Sequence, residues 1–104
     1  MVNTLIIISY RLPLYSCGRA YMARARYDIK DMKVKSLVRE SQEHSRKCAG
    51  TSPNDDYKEW SFCRQYQEHL NNKIKTARRD RTKAWNEFLF YEDDCRGYSN
   101  DLDE

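Results

Sequence analysis

The sequence predicts an all-α protein: an antiparallel helical hairpin with an extended N-terminal arm and a short acidic C-terminal tail. The 104 residues include only three glycines and two prolines, which is typical of long elements joined by few turns. Two long stretches carry apolar residues at steps of three and four, the spacing of one helix face. A single polar turn separates the two stretches, and the length suits one domain spanning residues 1–104.

The N-terminal arm is predicted over residues 1–18. Three consecutive isoleucines are β-branched and favour extended backbone, and Pro13 ends the apolar run. No other stretch offers a strand to pair with this one, so we expect the arm to lie across the helices or to add to a partner's sheet. Leu5 and Ile7 are its candidate contact residues.

The boundaries of the hairpin follow from glycine, proline and capping signals. Gly18 is expected to break the chain before the first helix, and Ser52 is expected to cap the second helix, with Pro53 at its first position. The predicted segments are helix 1 over 19–48, a turn over 49–53, helix 2 over 54–95 and the acidic tail over 96–104.

Each predicted helix carries a row of seam positions at heptad-like steps. In helix 1 the row is Ala20, Ala23, Tyr27, Lys30, Val34, Leu37, Ser41, His44 and Cys48. In helix 2 it is Trp60, Cys63, Gln67, Leu70, Ile74, Ala77, Arg81, Ala84, Phe88, Tyr91 and Cys95. When the helices are paired antiparallel so that facing residue numbers sum to 111, large residues meet small ones, as an interlocking interface requires.

One facing pair in this register is unfavourable, because Lys30 meets Arg81. Nearby acidic residues or an anion from outside could shield the two positive charges. The acidic candidates are Asp28, Asp31 and Asp80.

The same register brings the four cysteines into two nested pairs. Cys48 and Cys63 sum to 111, and Cys17 and Cys95 sum to 112. A disulfide needs Cα atoms about 5.5 Å apart, which paired seam positions can approach. Charged residues make up 34% of the chain, so its apolar core is small, and each bridge would add about 3 kcal/mol or more.

Two other states of the cysteines stay open at the level of sequence. Four reduced cysteines could fill the seam as small apolar residues. His44, Cys48, Cys63 and His69 also occur in a zinc-finger-like order. Because Cys63 and His69 lie six residues apart on a helix and point in different directions, the disulfides are favoured and no metal ligand is assigned.

Charge and aromatic residues indicate contact with other molecules. Lys75, Arg79 and Lys83 follow steps of four on one helix face, which suits phosphate contact or a solvated basic face. Trp85 and Phe90 are candidate contacts for a protein partner. We expect no enzyme activity and no cofactor, since neither a Ser/His/Asp order nor a glycine-rich phosphate loop is found. The apolar run near the N-terminus is far too short to span a membrane.

The cysteine layout also resembles a known family. An Arg11-Leu12-Pro13 segment precedes Cys17, Arg46-Lys47 precedes Cys48, Tyr66 follows Cys63, and a second long helix ends at Cys95. This order resembles the PDSW accessory subunits of mitochondrial respiratory complex I, which are similar to twin-cysteine helical-hairpin proteins. The turn departs from that family, because it is longer and has Thr51-Ser52-Pro53-Asn54 in place of the usual Glu-Gly.

The resemblance implies a non-catalytic subunit, peripheral to the mitochondrial inner membrane on its intermembrane-space face, with other subunits of an electron-transport complex as partners. Its disulfides would form on import, in an oxidising compartment. The alternative is a small basic helical protein of the cytoplasm that binds nucleic acid or regulates a nucleic-acid machine. Salt-dependent binding to DNA or RNA distinguishes the two functions.

Overall fold

A computed structural model describes the backbone of residues 2–103 and the side chains of residues 17–97. Two α-helices of 47 residues each make up the fold, α1 (Val2–Cys48) and α2 (Tyr57–Asp103), and the described backbone contains no strand. The predicted all-α helical hairpin is confirmed.

The chain divides into two compact units, each built from one segment of α1 and one segment of α2. Unit 1 comprises Met1–Ile29 and Thr82–Glu104, and unit 2 comprises Lys30–Arg81 with the connecting turn. The register of the two helices can therefore be read separately in each unit.

Both helices extend past the ends expected from the sequence. The backbone of residues 2–18, predicted as an extended arm, belongs to α1, and that of residues 96–103, predicted as a tail, belongs to α2. A lone extended segment leaves its backbone N–H and C=O groups unpaired, whereas a helix pairs them within the segment. Gly18 and Gly97 do not end their helices, because one glycine costs a helix only about 1 kcal/mol.

The second helix begins later than predicted because Ser52 forms a turn of its own. Its carbonyl accepts the N–H groups of Asp55 and Asp56, both at 3.2 Å, and its hydroxyl accepts the N–H of Asn54 at 3.3 Å. The helix cap is therefore Asp56, whose carboxylate accepts the N–H of Glu59 at 3.1 Å. The predicted cap at Ser52 is wrong.

The predicted seam forms the core, and none of its members on either helix is exposed. In unit 1 the buried members are Ala20, Ala23 and Ala84, and in unit 2 they are Val34, Cys63, Leu70, Ile74 and Ala77. Small alanines let the two helix backbones approach, and Leu70 is the largest completely enclosed side chain among residues 17–97.

Both predicted disulfides are present. In unit 1 Cys17 is bonded to Cys95 with a Cα–Cα distance of 4.7 Å, and in unit 2 Cys48 is bonded to Cys63 with a Cα–Cα distance of 6.0 Å. No cysteine is left as a free thiol. Each unit therefore keeps the register that the sequence predicts.

Truncation of the seam should cost far more stability than truncation of an outer apolar residue. Leu70 is 1% exposed, so Leu70→Ala should lower the free energy of unfolding by about 2–5 kcal/mol, since it leaves a cavity. Leu89 is 44% exposed, so Leu89→Ala should change it by less than about 0.5 kcal/mol. Urea unfolding of both variants measures these changes. Equal losses of unfolding free energy would contradict the seam as the core of the fold.

Candidate functional site

The polar interruption of the seam at Gln67 is a closed hydrogen-bond network. The Gln67 amide nitrogen donates to the Ser41 hydroxyl at 2.7 Å, and the Gln67 amide oxygen accepts from the Ser45 hydroxyl at 3.1 Å. Among the described residues, no buried side-chain nitrogen or oxygen lacks a hydrogen-bond partner. Gln67 therefore ties α2 to α1 within unit 2 and leaves no polar group without a partner.

The second interruption, at Arg81, is neutralised from within unit 2. Asp31 accepts from the Arg81 guanidinium at 3.1 Å through one carboxylate oxygen and pairs with the Lys35 ammonium at 2.9 Å through the other. The hydrogen bond from Lys35 is the main cause of a lowered pKa of Asp31, and Arg81 adds to it, against a partial desolvation that raises it. Of the acidic shields predicted for Lys30 and Arg81, Asp31 is confirmed.

Unit 1 holds an aromatic cluster around one arginine. Trp85 packs against Tyr27 and Phe88 with ring centroids 4.9 Å and 5.3 Å away. The Arg24 guanidinium lies 5.5–5.6 Å from all three ring centroids and also pairs with Asp28 at 3.2 Å. Trp85, a predicted partner contact, is thus half-buried within its own unit, and sequence reasoning missed the role of Arg24.

The exposed apolar residues of unit 1 fall on defined flanks of the helix pair. Met22, Ile29 and Phe90 are 56%, 65% and 69% exposed, and each stands one residue before a seam position of the same heptad type. Equivalent positions on antiparallel helices lie on the same flank, and the Arg26–Glu87 ion pair at 2.9 Å joins the helices on that side. We call Met22, Ile29 and Phe90 the apolar flank.

The opposite flank of unit 1 carries different residues. Tyr21 and Leu89 each follow a seam position, on the side where Arg24 stacks on Trp85. Leu89 and Phe90 are therefore sequence neighbours on different flanks. This contrast supplies a matched pair of positions for testing which flank binds a partner.

The predicted basic residues are exposed but belong to two different units. Lys75 and Arg79 are exposed in unit 2, and Lys83 is exposed in unit 1. Unit 2 has thirteen basic and eight acidic residues, whereas residues 17–29 and 82–97 of unit 1 have five of each. Arg26 and Lys35, which lie on the opposing helix, are already paired with carboxylates.

A cluster of side chains surrounds the Cys48–Cys63 disulfide. The His44 Nε2 atom lies 2.9 Å from the Cys63 carbonyl oxygen, and the His44 ring lies edge-on to Tyr66 at 4.8 Å. The Tyr66 hydroxyl donates to Glu40 at 2.7 Å, and this hydrogen bond to a carboxylate is the main cause of a raised pKa of Tyr66. Direct contacts therefore connect Glu40, Tyr66 and His44 to the disulfide at one end of unit 2.

Three further residues singled out in the sequence lie outside the contacts described above. Leu5 and Ile7 lie in α1, but their side chains are outside the described residues, so their contact role stays a prediction. His69, considered as a fourth metal ligand, stands 6.1 Å from Tyr66 by ring centroids and does not join the cluster formed by His44, Cys48 and Cys63.

No protein-family model, no curated protein and no solved structure matches this chain. The resemblance to PDSW subunits therefore stays a prediction from the sequence. In the part of the chain that the structure describes, neither helix has a stretch long and apolar enough to cross a bilayer.

The Asp31 ion pairs should make stability depend on pH. A lowered folded-state pKa means that the carboxylate stabilises the fold above its ordinary value of 3.8, and that this contribution is lost as pH falls through the lowered value. Asp31→Asn should therefore lower Tm at neutral pH, and the gap to the unmodified chain should close in strong acid. Thermal unfolding across pH checks this.

Asp28→Asn is the control, because the Arg24–Asp28 pair is at the surface, with both side chains at least half exposed. Its effect on Tm at neutral pH should be smaller than that of Asp31→Asn. A Tm gap for Asp31→Asn that is constant across pH would contradict the ionic role of Asp31.

Proposed function

We propose that this chain is a non-catalytic structural subunit that braces a larger assembly on the intermembrane-space face of the mitochondrial inner membrane. The assembly we propose is respiratory complex I, NADH:ubiquinone oxidoreductase. The observation that carries the proposal is the nested pair of disulfides, Cys17–Cys95 and Cys48–Cys63, which clasp the paired helices. Such bonds persist in oxidising compartments, and two bridges formed by the four cysteines in this order are what the PDSW resemblance implies.

The internal construction of unit 2 supports a bracing role. Two polar seam positions have partners within the chain: Gln67 hydrogen-bonds two serines, and Arg81 pairs with Asp31. Side chains locked by such networks lose little further conformational freedom when a partner binds, so a larger share of the contact energy remains as affinity. A pre-formed helix pair is thus suited to contact a larger subunit along its length.

The apolar flank supports a protein as the partner. Phe90 packs edge-on against Tyr91 at 5.4 Å, yet is 69% exposed, and Met22 is on the same flank. Aromatic and methionine side chains are enriched in protein interfaces, and burying them against a partner removes apolar surface from water. We therefore assign the contact with the assembly to this flank.

A neighbour-swap experiment tests the proposal. The tagged full chain is expressed in mitochondria-containing cells as unmodified protein, as Phe90→Ser and as Leu89→Ser, and solubilised membranes are separated by native electrophoresis. The unmodified chain and Leu89→Ser should co-migrate with NADH dehydrogenase activity. Phe90→Ser should dissociate from it, since loss of an aromatic interface anchor costs about 2 kcal/mol or more.

Other outcomes of the same experiment argue against the proposal. Migration of the unmodified chain away from the NADH dehydrogenase band would contradict complex I as the assembly. Equal retention of Phe90→Ser and Leu89→Ser would contradict the apolar flank as the contact. Both changed side chains are exposed, so both variants should fold, and circular dichroism of the purified proteins checks this.

The basic excess of unit 2 favours nucleic-acid binding as the second candidate function. Lys75 and Arg79 are exposed there and could contact phosphates. If this function held, affinity for DNA or RNA would fall steeply with salt, and replacing both residues by Gln would reduce the salt slope by about two. The bracing role predicts no binding even at low salt.

A further inference from the structure

His44 lies directly against the disulfide beside the turn. Its Nε2 and Nδ1 atoms are 3.6 Å and 3.9 Å from the Cys48 Sγ atom, and Nε2 is 2.9 Å from the carbonyl oxygen of Cys63. The ligand atoms of His44, Cys48 and Cys63 all lie within 4.8 Å of one another. One imidazole and two sulfurs therefore share one small volume of unit 2.

The hydrogen bond to Cys63 fixes the tautomer of His44. A carbonyl oxygen can only accept, so Nε2 must carry the hydrogen and donate it. In the neutral ring, the other nitrogen, Nδ1, then has a free lone pair. Histidine ligands of metals show this arrangement, in which one ring nitrogen binds the ion and the other donates to a carbonyl. His44 is thus already held in a ligand's tautomer.

The distances suit tetrahedral zinc once the two sulfurs are not bonded to each other. Zn–S bonds of about 2.3 Å and Zn–N bonds of about 2.0 Å put tetrahedral ligand atoms about 3.5–3.8 Å apart. The separation between Nδ1 of His44 and Sγ of Cys48 is 3.9 Å, slightly longer than this range. Two reduced sulfurs, no longer bonded, would move apart to a similar van der Waals distance.

The space beside the cluster is open. A cleft of about 310 Å³ is lined by the three cluster residues together with Thr51, Trp60 and Gln67, among others. His44 and Cys48 are half-buried, which leaves a path for a hydrated ion. Three protein ligands with an open fourth position are a known zinc arrangement, with water in the fourth place.

We propose that the Cys48–Cys63 pair alternates between a disulfide and a zinc site completed by His44. A dithiol reductant gives two electrons and two protons to the disulfide, becoming a disulfide itself, and leaves two thiols. Zn²⁺ then displaces both thiol protons and binds Cys48 Sγ, Cys63 Sγ and His44 Nδ1. The two states exclude each other, and both close the 15-residue separation between the cysteines. This inference does not rest on the proposed bracing role.

Cobalt and zinc titrations of the reduced full chain test the site. The variant Cys17→Ser/Cys95→Ser keeps only the thiols of Cys48 and Cys63. The variant Cys48→Ser/Cys63→Ser keeps only those of Cys17 and Cys95, which do not belong to the cluster with His44. Co²⁺ should give thiolate charge-transfer and tetrahedral absorption bands with the first variant and not with the second. Zn²⁺ should abolish the bands by displacement.

Histidine variants in the first background identify the third ligand. His44→Ala should weaken zinc binding at least about 10-fold, and His69→Ala should leave it unchanged. Equal affinity for the two histidine variants overturns the proposal, as does equal binding by both double-serine variants. Circular dichroism with and without zinc checks that all the reduced variants compared are helical.

The unmodified reduced chain provides a measurement that needs no variant to fold. Zinc should protect Cys48 and Cys63 from alkylation and leave Cys17 and Cys95 reactive, as mapped by mass spectrometry. Protection of all four cysteines alike, or of none, overturns the proposal.

Discussion

The constraint on which the structure depends is the antiparallel register of the two helices within each unit. Once facing residue numbers sum to about 111, the disulfides, the alanine contacts and the polar ties all become possible together. A shift of one residue would rotate each partner by about 100° around its helix and separate every pair. Because 34% of the residues are charged, the apolar contacts are too few to hold the register alone. The two disulfides and the hydrogen-bonded polar seam residues therefore help the small core to hold the register.

The polar positions of the seam give the register its specificity. An apolar seam could slide by one heptad at modest cost, but a slid seam would leave the amide of Gln67 and the charge of Arg81 without Ser41, Ser45 and Asp31. Each lost hydrogen bond would cost about 0.5–1.5 kcal/mol, and more where a charged group takes part. Gln67 and Arg81, which interrupt the apolar seam, thus favour one register of the two helices over the others.

Much of the fold could be predicted from the sequence, because heptad spacing and cysteine spacing give the same register independently. The ends of the helices could not. Three isoleucines favour strand locally, but the lack of a partner strand outweighs that preference. The start of α2 is the exception, because Asp56 and Glu59 have the three-residue spacing of a capping box, a signal that the prediction at Ser52 overlooked. The place of Arg24 among three rings left no periodic signal, so only the packed structure reveals it.

The candidate functional residues follow from the register as well, since it decides which flank carries Phe90 and which sulfur lies against His44. Peptide mapping of the unreduced chain, alkylated during purification from its natural source, tests this register most directly. The account predicts two cross-linked peptide pairs, Cys17 with Cys95 and Cys48 with Cys63. Four alkylated cysteines, or a cross-link between any other two, would contradict it.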